Sequence, residues 1–191
     1  MSGAMGVKVI TPATAQLTLA EMRLHLRLDE SFGTDDNLML LAMLASAVDY
    51  CEHYTGRSIG AQTLEIALDA FPACGIVLPN GPVTAITSIT YTNVSQLTLA
   101  PAAYVIDDYG LQTSVLPKAY TQWPATDGTL LGIKIRYVAG GVRPAVRSAL
   151  LLMVAHLYEN REATNIGRAN TDQELPYGVT SLLNTCKVWT I

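Results

Sequence analysis

Charge is what this sequence lacks most. Only 15% of its 191 residues are charged and 50% are hydrophobic, which excludes a compositionally disordered chain. The net charge is −4 and the 12 lysine and arginine residues are scattered, so no basic block indicates a nucleic-acid footprint. So few charges leave little polar material to cover a monomer, and we expect extra surface to be buried against other subunits.

Cysteine is scarce as well. Cys51, Cys74 and Cys186 lie far apart, and no CxxC motif occurs. Their odd number and wide spacing argue against a disulfide framework or a structural zinc site and favour a reducing compartment. The N-terminal stretch lacks the apolar core of a signal peptide, and the longest apolar run, 149–155, is too short to cross a bilayer. We therefore expect a soluble cytosolic protein without a membrane partner.

Motifs of several common catalytic folds are missing. The sequence contains no Walker loop, no GxSxG nucleophile elbow and no HExxH metal motif. The glycine pair 140–141 precedes an expected helix, whose N-terminal amides can bind an anion. Because the other positions of a phosphate-binding loop are missing, we interpret the pair as a strand-to-helix turn.

Two helix signals are present near the N-terminus. Thr18 and Glu21 have the spacing of a capping box, which predicts a helix over 18–28. The sequence TDD then supplies a capping residue and negative charge at the start of a second helix. Gly56 is suited to end it, so we expect this helix over 35–55.

Two further helices are expected near the C-terminus. Pro144 is well placed as the first residue of a helix over 144–160. A short final helix begins at about Tyr177, with Leu182 and Leu183 on its apolar side.

The region between the second and third helices has the pattern of β-strands. Short runs rich in Ile, Val, Thr and Tyr are separated by Pro, Gly, Asn and Asp, and they include QTLEIALDAF, GIVLP, AITSITYTN, YVIDD and GIKIRYVAG. This pattern predicts an antiparallel β-rich insertion over 62–138. The fold class is therefore α+β: a bundle of about three to four helices with a central β insertion.

His156 and Glu159 are three residues apart, so one helical face can present both to a metal. A small metal-dependent enzyme would need a third ligand, for which Asp49 or His53 are candidates. The carboxylate-first motif of di-iron bundles is reversed here and occurs once, so we favour a structural or interface role for His156.

Three acids in the β-rich region form a second candidate site. Asp107, Asp108 and Asp127 could bind a cation through oxygen ligands. Acidic residues are common in loops, so we favour a role in turn formation.

Taken in order, several segments resemble the head–tail connector (adaptor) proteins of long-tailed bacteriophages. The resemblance covers about residues 17–189, and it rests on LTLAEMRLHLRLD, DDNLMLLAMLASAVDYCEHYTGRSI, QTLEIALDAFP, GIVLPNGPVTAITSITY, YVIDDYG, IKIRYVAGG, LLLMVAHLYENREA and the closing LP…LL…KVW. The residue pattern predicts an N-terminal arm over 1–16 and a mobile loop and C-terminal tail over 163–191. The resemblance implies that the residues between them, 17–162, form the connector domain and that the tail docks on the portal.

The resemblance implies a structural virion protein without catalytic residues or cofactors. Family members assemble as a ring, usually dodecameric, beneath the portal protein. The ring extends the channel through which genomic DNA passes without sequence-specific binding, and it offers a surface to the stopper or tail-completion protein. The implied location is the neck of the phage particle, assembled in the host cytoplasm. A non-phage oligomeric scaffold is an alternative of another class.

Two sets of residues are predicted to carry this role. The expected portal or tail interface is Leu175, Tyr177, Leu182, Leu183, Val188 and Trp189. The expected ring or core helix presents Val146, Leu150, Val154, His156, Tyr158 and Arg161. A mildly acidic channel would let DNA slide, with Asp107, Asp108 and Glu174 as candidate lining residues.

Overall fold

In a computed structural model, the chain forms two compact units. The described residues are 6–14, 16–28, 36–110, 112–160 and 177–189. The β unit contains the described residues of 1–14 and 60–141, and the helical unit contains those of 15–59 and 142–191. The α+β class expected from the sequence is confirmed, because helices and antiparallel sheets are both present.

The helical unit contains four helices in the described part of the chain. They are α1 (Leu19–His25), α2 (Asn37–Thr55), α3 (Pro144–Glu159) and α4 (Tyr177–Asn184). Their apolar faces share one core, with Met22, Leu40, Leu150 and Leu183 all fully buried. This core joins segments that lie on both sides of the β unit in sequence.

Local sequence signals account for where α1 begins and where α2 ends. The Thr18 hydroxyl accepts the N–H of Glu21 at 3.2 Å, and the Glu21 carboxylate accepts the N–H of Thr18 at 2.8 Å. Glu21 also forms an ion pair with Arg147 of α3. The hydrogen bonds from Thr18, and secondarily Arg147, hold the pKa of Glu21 below its ordinary value. Helix α2 ends at Gly56, whose φ of 66° lies in the left-handed region.

The β unit consists of two antiparallel sheets. The larger sheet has the strand order β1 (Val7–Thr11), β2 (Gln62–Leu68), β8 (Ile133–Ala139), β4 (Val83–Asn93), β5 (Ser95–Thr98). The smaller sheet has the order β3 (Ile76–Leu78), β7 (Thr113–Pro117), β6 (Tyr104–Asp107). Buried side chains from both sheets form one core, so the sheets pack face to face.

Buried and more exposed side chains alternate along β2 and β8, so the larger sheet has one buried face and one exposed face. Leu64 and Ile66 of β2, like Ile133, Ile135 and Tyr137 of β8, are essentially fully buried. The residues between them point to the opposite face, which is polar. Burial raises the pKa of the Tyr137 phenol, whose hydroxyl donates a hydrogen bond to the Pro79 carbonyl at 2.9 Å.

Strand β1 lies within the segment expected to be an N-terminal arm. It pairs with β2, with Val7 opposite Ile66 and Val9 opposite Leu64. All five of its side chains are exposed, so the strand has no alternation of buried and exposed residues. Its position depends on backbone hydrogen bonds to β2, a strand that is distant in sequence. Strand β7 was also not among the expected strands.

The three cysteines occupy different environments. Cys51 and Cys186 are buried in the helical unit, whereas Cys74 is exposed on the β unit, and all three are free thiols. Burial raises the pKa of the Cys51 thiol to about 11. None of the helices in the described ranges combines the length and apolar character needed to cross a membrane.

The glycine pair at the end of β8 gives a test of backbone packing. Gly140 has a φ of 125°, and a Cβ atom there would overlap the carbonyl of Gly60, whereas one at Gly141 would only touch Pro82 at 3.5 Å. We expect Gly140→Ala to lower the free energy of unfolding by about 2 kcal/mol or more. Denaturant titration would measure it, with Gly141→Ala as the matched control. Equal losses in the two variants would contradict this account.

Candidate functional site

The residues considered for metal chemistry are not gathered into a site. His156 is half-buried on α3, and the side-chain amide of Asn160 donates to its carbonyl oxygen at 2.8 Å. Glu159 is exposed, as are Asp49 and His53 on α2. In the described ranges, no three His, Cys, Asp or Glu side chains are close enough to hold a metal ion.

The three acids of the β unit include two that cap local turns. Asp107 accepts the N–H two residues further along at 3.2 Å. Asp127 accepts the N–H groups of Val94 and Thr129 at 3.1 and 3.0 Å, and the hydrogen bonds from Thr129 lower its pKa. Asp108 is exposed beside Asp107. The third acid considered for a channel lining, Glu174, lies outside the described residues.

Most of the expected ring or core positions on α3 lie inside the helical unit. Val146, Leu150 and Val154 are at most 5% exposed, so they hold this unit together and are not available to another subunit. Tyr158 is half-buried, and its hydroxyl donates to the Asp36 carboxylate at 3.0 Å. Arg161 lies outside the described residues.

The expected tail residues divide between core and surface. Leu183 is fully buried, and Leu182 is half-buried against the same core. Val188 is half-buried and donates its N–H to the Thr55 carbonyl at 2.9 Å. Trp189 is 65% exposed. Leu175 lies outside the described residues, and of Tyr177 the structure describes the backbone, which begins α4.

Trp189 belongs to a cluster that we name the C-terminal surface: Tyr50, Tyr54, Lys187, Val188 and Trp189. The Lys187 ammonium lies 4.3 Å from the centroid of the Tyr54 ring and 4.8 Å from that of Trp189. The rings of Tyr50 and Tyr54 are stacked, with centroids 5.9 Å apart. A cation beside two rings is attracted by their negative faces, so Lys187 favours this position of the exposed Trp189 ring.

Hydrogen bonds fix the chain beneath the C-terminal surface. The Tyr54 hydroxyl donates to the Asn184 side chain at 2.8 Å, and Arg57 donates to the Cys186 carbonyl at 2.7 Å. Burial is the main reason that the pKa of Arg57 is lowered. The final described residues are therefore held against the C-terminal end of α2.

This arrangement suits the binding of another protein. Tryptophan and tyrosine are enriched among residues that dominate protein interfaces, because each supplies a large contact area with little conformational entropy to lose. Of these five residues, Val188 and Trp189 were expected from the sequence, whereas Tyr50, Tyr54 and Lys187 were not. The available signal was the i, i+4 spacing of the two tyrosines on α2.

Two variants distinguish the buried residues of the C-terminal segment 177–189 from its exposed ones. Leu183→Ala should lower the free energy of unfolding by about 2–5 kcal/mol, because it leaves a cavity in the core. Trp189→Ala should lower it by less than about 1 kcal/mol, since the ring is mainly exposed. Thermal and denaturant unfolding measure both, and a large loss for Trp189→Ala would place that ring in the core.

Comparisons with known proteins yield a fold but no family. No family model matches the sequence, and no curated protein matches it. Among solved structures, a chain in the neck of an empty gene transfer agent (GTA) particle, computed with C6 symmetry, matches with a TM-score of 0.79 and 21% identity. The match covers 97% of this chain and 97% of that chain.

Two other solved structures match over a similar extent. A chain in the virion of the native GTA particle has a TM-score of 0.76 and 21% identity, covering 97% of this chain and 96% of that one. A chain in the neck of the native particle, computed with C12 symmetry, has a TM-score of 0.68 and 23% identity, covering 97% of each chain. This chain therefore has, over nearly its whole length, the fold of a chain found in those particles.

Proposed function

We propose that this protein is a structural component of the neck of a bacteriophage-like particle. The observation that carries the proposal is the match of both units to a chain of the GTA neck, over 97% of each chain. The order of sequence motifs that resembles head–tail connector proteins supports it independently. A fold alone does not determine function, and here two separate indications agree.

In this proposal the chain is a head–tail adaptor that forms a ring beneath the portal protein. The matching necks were computed with C6 and C12 symmetry, which supports a cyclic arrangement and is compatible with a dodecamer. A ring built head to tail needs two different surfaces on each subunit. The ring would extend the channel for genomic DNA and present a surface to the stopper or tail-completion protein.

The C-terminal surface is the proposed contact with the portal. Trp189 is exposed and contacts Lys187, and the preceding residue, Val188, is hydrogen-bonded to the end of α2. Its backbone is therefore already positioned, which lowers the entropy lost when the ring enters a pocket on a partner. The buried residues of α3 hold the helical unit together in this account. The metal-dependent enzyme alternative gains no geometric support, because the described residues do not place a third ligand beside His156 and Glu159.

Deleting the gene from the strain that produces the particles tests the proposal. Electron microscopy should show filled or leaking heads without attached tails, because the connection between portal and tail would be missing. Normal tailed particles from the deletion strain would refute the adaptor role.

Complementation of that deletion tests the portal contact. Trp189→Ala should reduce tailed particles by about tenfold or more while the protein remains folded, as expected for an interface anchor. Tyr120→Ala is the matched control, because Tyr120 is a fully exposed aromatic residue on the β unit. Equal numbers of tailed particles from both variants would contradict the role of Trp189.

A further inference from the structure

The polar face of the five-stranded sheet contains a groove of about 290 Å³. It lies on the side opposite the core, because its residues alternate with the buried ones along β2 and β8. The residues that line it are Glu65, Ser88, Thr90, Gln96, Lys134 and Arg136. Hydroxyl, amide and cationic donors therefore face one concave surface.

This groove carries positive charge in a chain whose net charge is −4. Arg136 donates from two nitrogens to the same Glu65 oxygen, at 2.7 and 3.1 Å, and its side chain remains 43% exposed. Lys134 is exposed, and Lys8 of β1 lies opposite Glu65 in the strand register. The lining therefore holds two cations, Lys134 and Arg136, and one carboxylate, Glu65, so the groove favours an additional anionic group.

A complementary segment lies on the other sheet of the same unit. Residues 105–109, which we name the β6 tip, are all exposed, and Tyr109 is 99% exposed. Val105 and Ile106 supply apolar contact area, and Asp107 and Asp108 supply negative charge. Among the described strands, β6 lies at the edge of the three-stranded sheet and pairs with β7 alone, so this segment is accessible from outside.

The two surfaces lie on different layers of the β unit. The three-stranded sheet packs on the core face of the larger sheet, whereas the groove opens on the opposite face. The β6 tip therefore cannot reach the groove of its own chain. Two different, complementary patches on one chain are the requirement for a head-to-tail contact between copies.

We propose that the β6 tip of one copy docks in the sheet groove of the next. This proposal rests on the proposed ring function, and it names the two surfaces through which neighbouring subunits of the ring would meet. Asp108 faces Lys134 and Arg136, and the exposed Tyr109 beside it adds contact area. The ionic contacts mainly fix the register, because exposed ion pairs contribute little affinity while complementary charge orients the encounter.

Disulfide trapping between two differently labelled copies tests this contact even if the ring is weak in solution. In a Cys74→Ser background, one copy carries Tyr109→Cys beside the acids and the other carries Gln96→Cys in the groove. Both substitutions leave the charged groups in place. Oxidation of the mixture should form the mixed dimer about tenfold faster than a control mixture in which Tyr120→Cys replaces Gln96→Cys. Tyr120 is fully exposed, so random collision would not disfavour the control.

Charge reversal in the same assay tests the assigned partners. Lys134→Glu on the groove copy, or Asp108→Lys on the tip copy, should each slow mixed-dimer formation by about fivefold, and combining them should restore it to within about twofold. Lys118→Glu on the groove copy is the matched control and should leave the rate unchanged. Rates equal to the Tyr120→Cys control, or no restoration by the combined reversals, would overturn the contact.

Two further outcomes distinguish the alternatives. If Lys134→Glu abolishes retention of a DNA duplex and leaves the trapping rate unchanged, the groove binds nucleic acid and the subunit contact is overturned. If the deletion strain produces tailless heads but trapping fails, the neck function stands and the ring contact lies elsewhere on the chain.

Discussion

Helix α3 contributes Ala149, Leu150 and Val154 to the core that it shares with α2 and α4, although residues 60–141 separate it from α2 in sequence. Bringing these segments together requires closing a long loop, which costs conformational entropy. Burial of apolar side chains offsets that cost, and the sequence of α3 is correspondingly rich in them. The β unit occupies the closed loop with a separate core, so each unit has its own source of stability.

This organisation gives a structural explanation for the polar residues at the end of α3. The helix is apolar where it packs, and its polar character begins where its last turn reaches solvent at Glu159 and Asn160. His156 lies at that transition and is half-buried. A polar residue at the boundary of a buried helix satisfies hydrogen bonds locally, as the contact between Asn160 and His156 illustrates.

Features encoded by neighbouring residues could be predicted from the sequence. The capping box at Thr18 and the terminating glycine at Gly56 depend on local geometry, and the alternation in β2 and β8 follows from having one buried face. Strand β1 escaped prediction because its pairing with β2 is long-range and its side chains are exposed. The contact of Lys187 with Tyr54 escaped for the same reason: it joins two segments that only the fold brings together.

Because the three thiols differ in exposure, each folded chain offers one cysteine for chemical labelling. Cys51 and Cys186 are buried, whereas Cys74 is exposed to solvent. Burial also raises the pKa of the Cys51 thiol, so little of the nucleophilic thiolate forms there. A maleimide dye applied to the folded protein therefore attaches once per copy. In any assembly the number of photobleaching steps then equals the number of subunits, so stoichiometry can be counted one particle at a time.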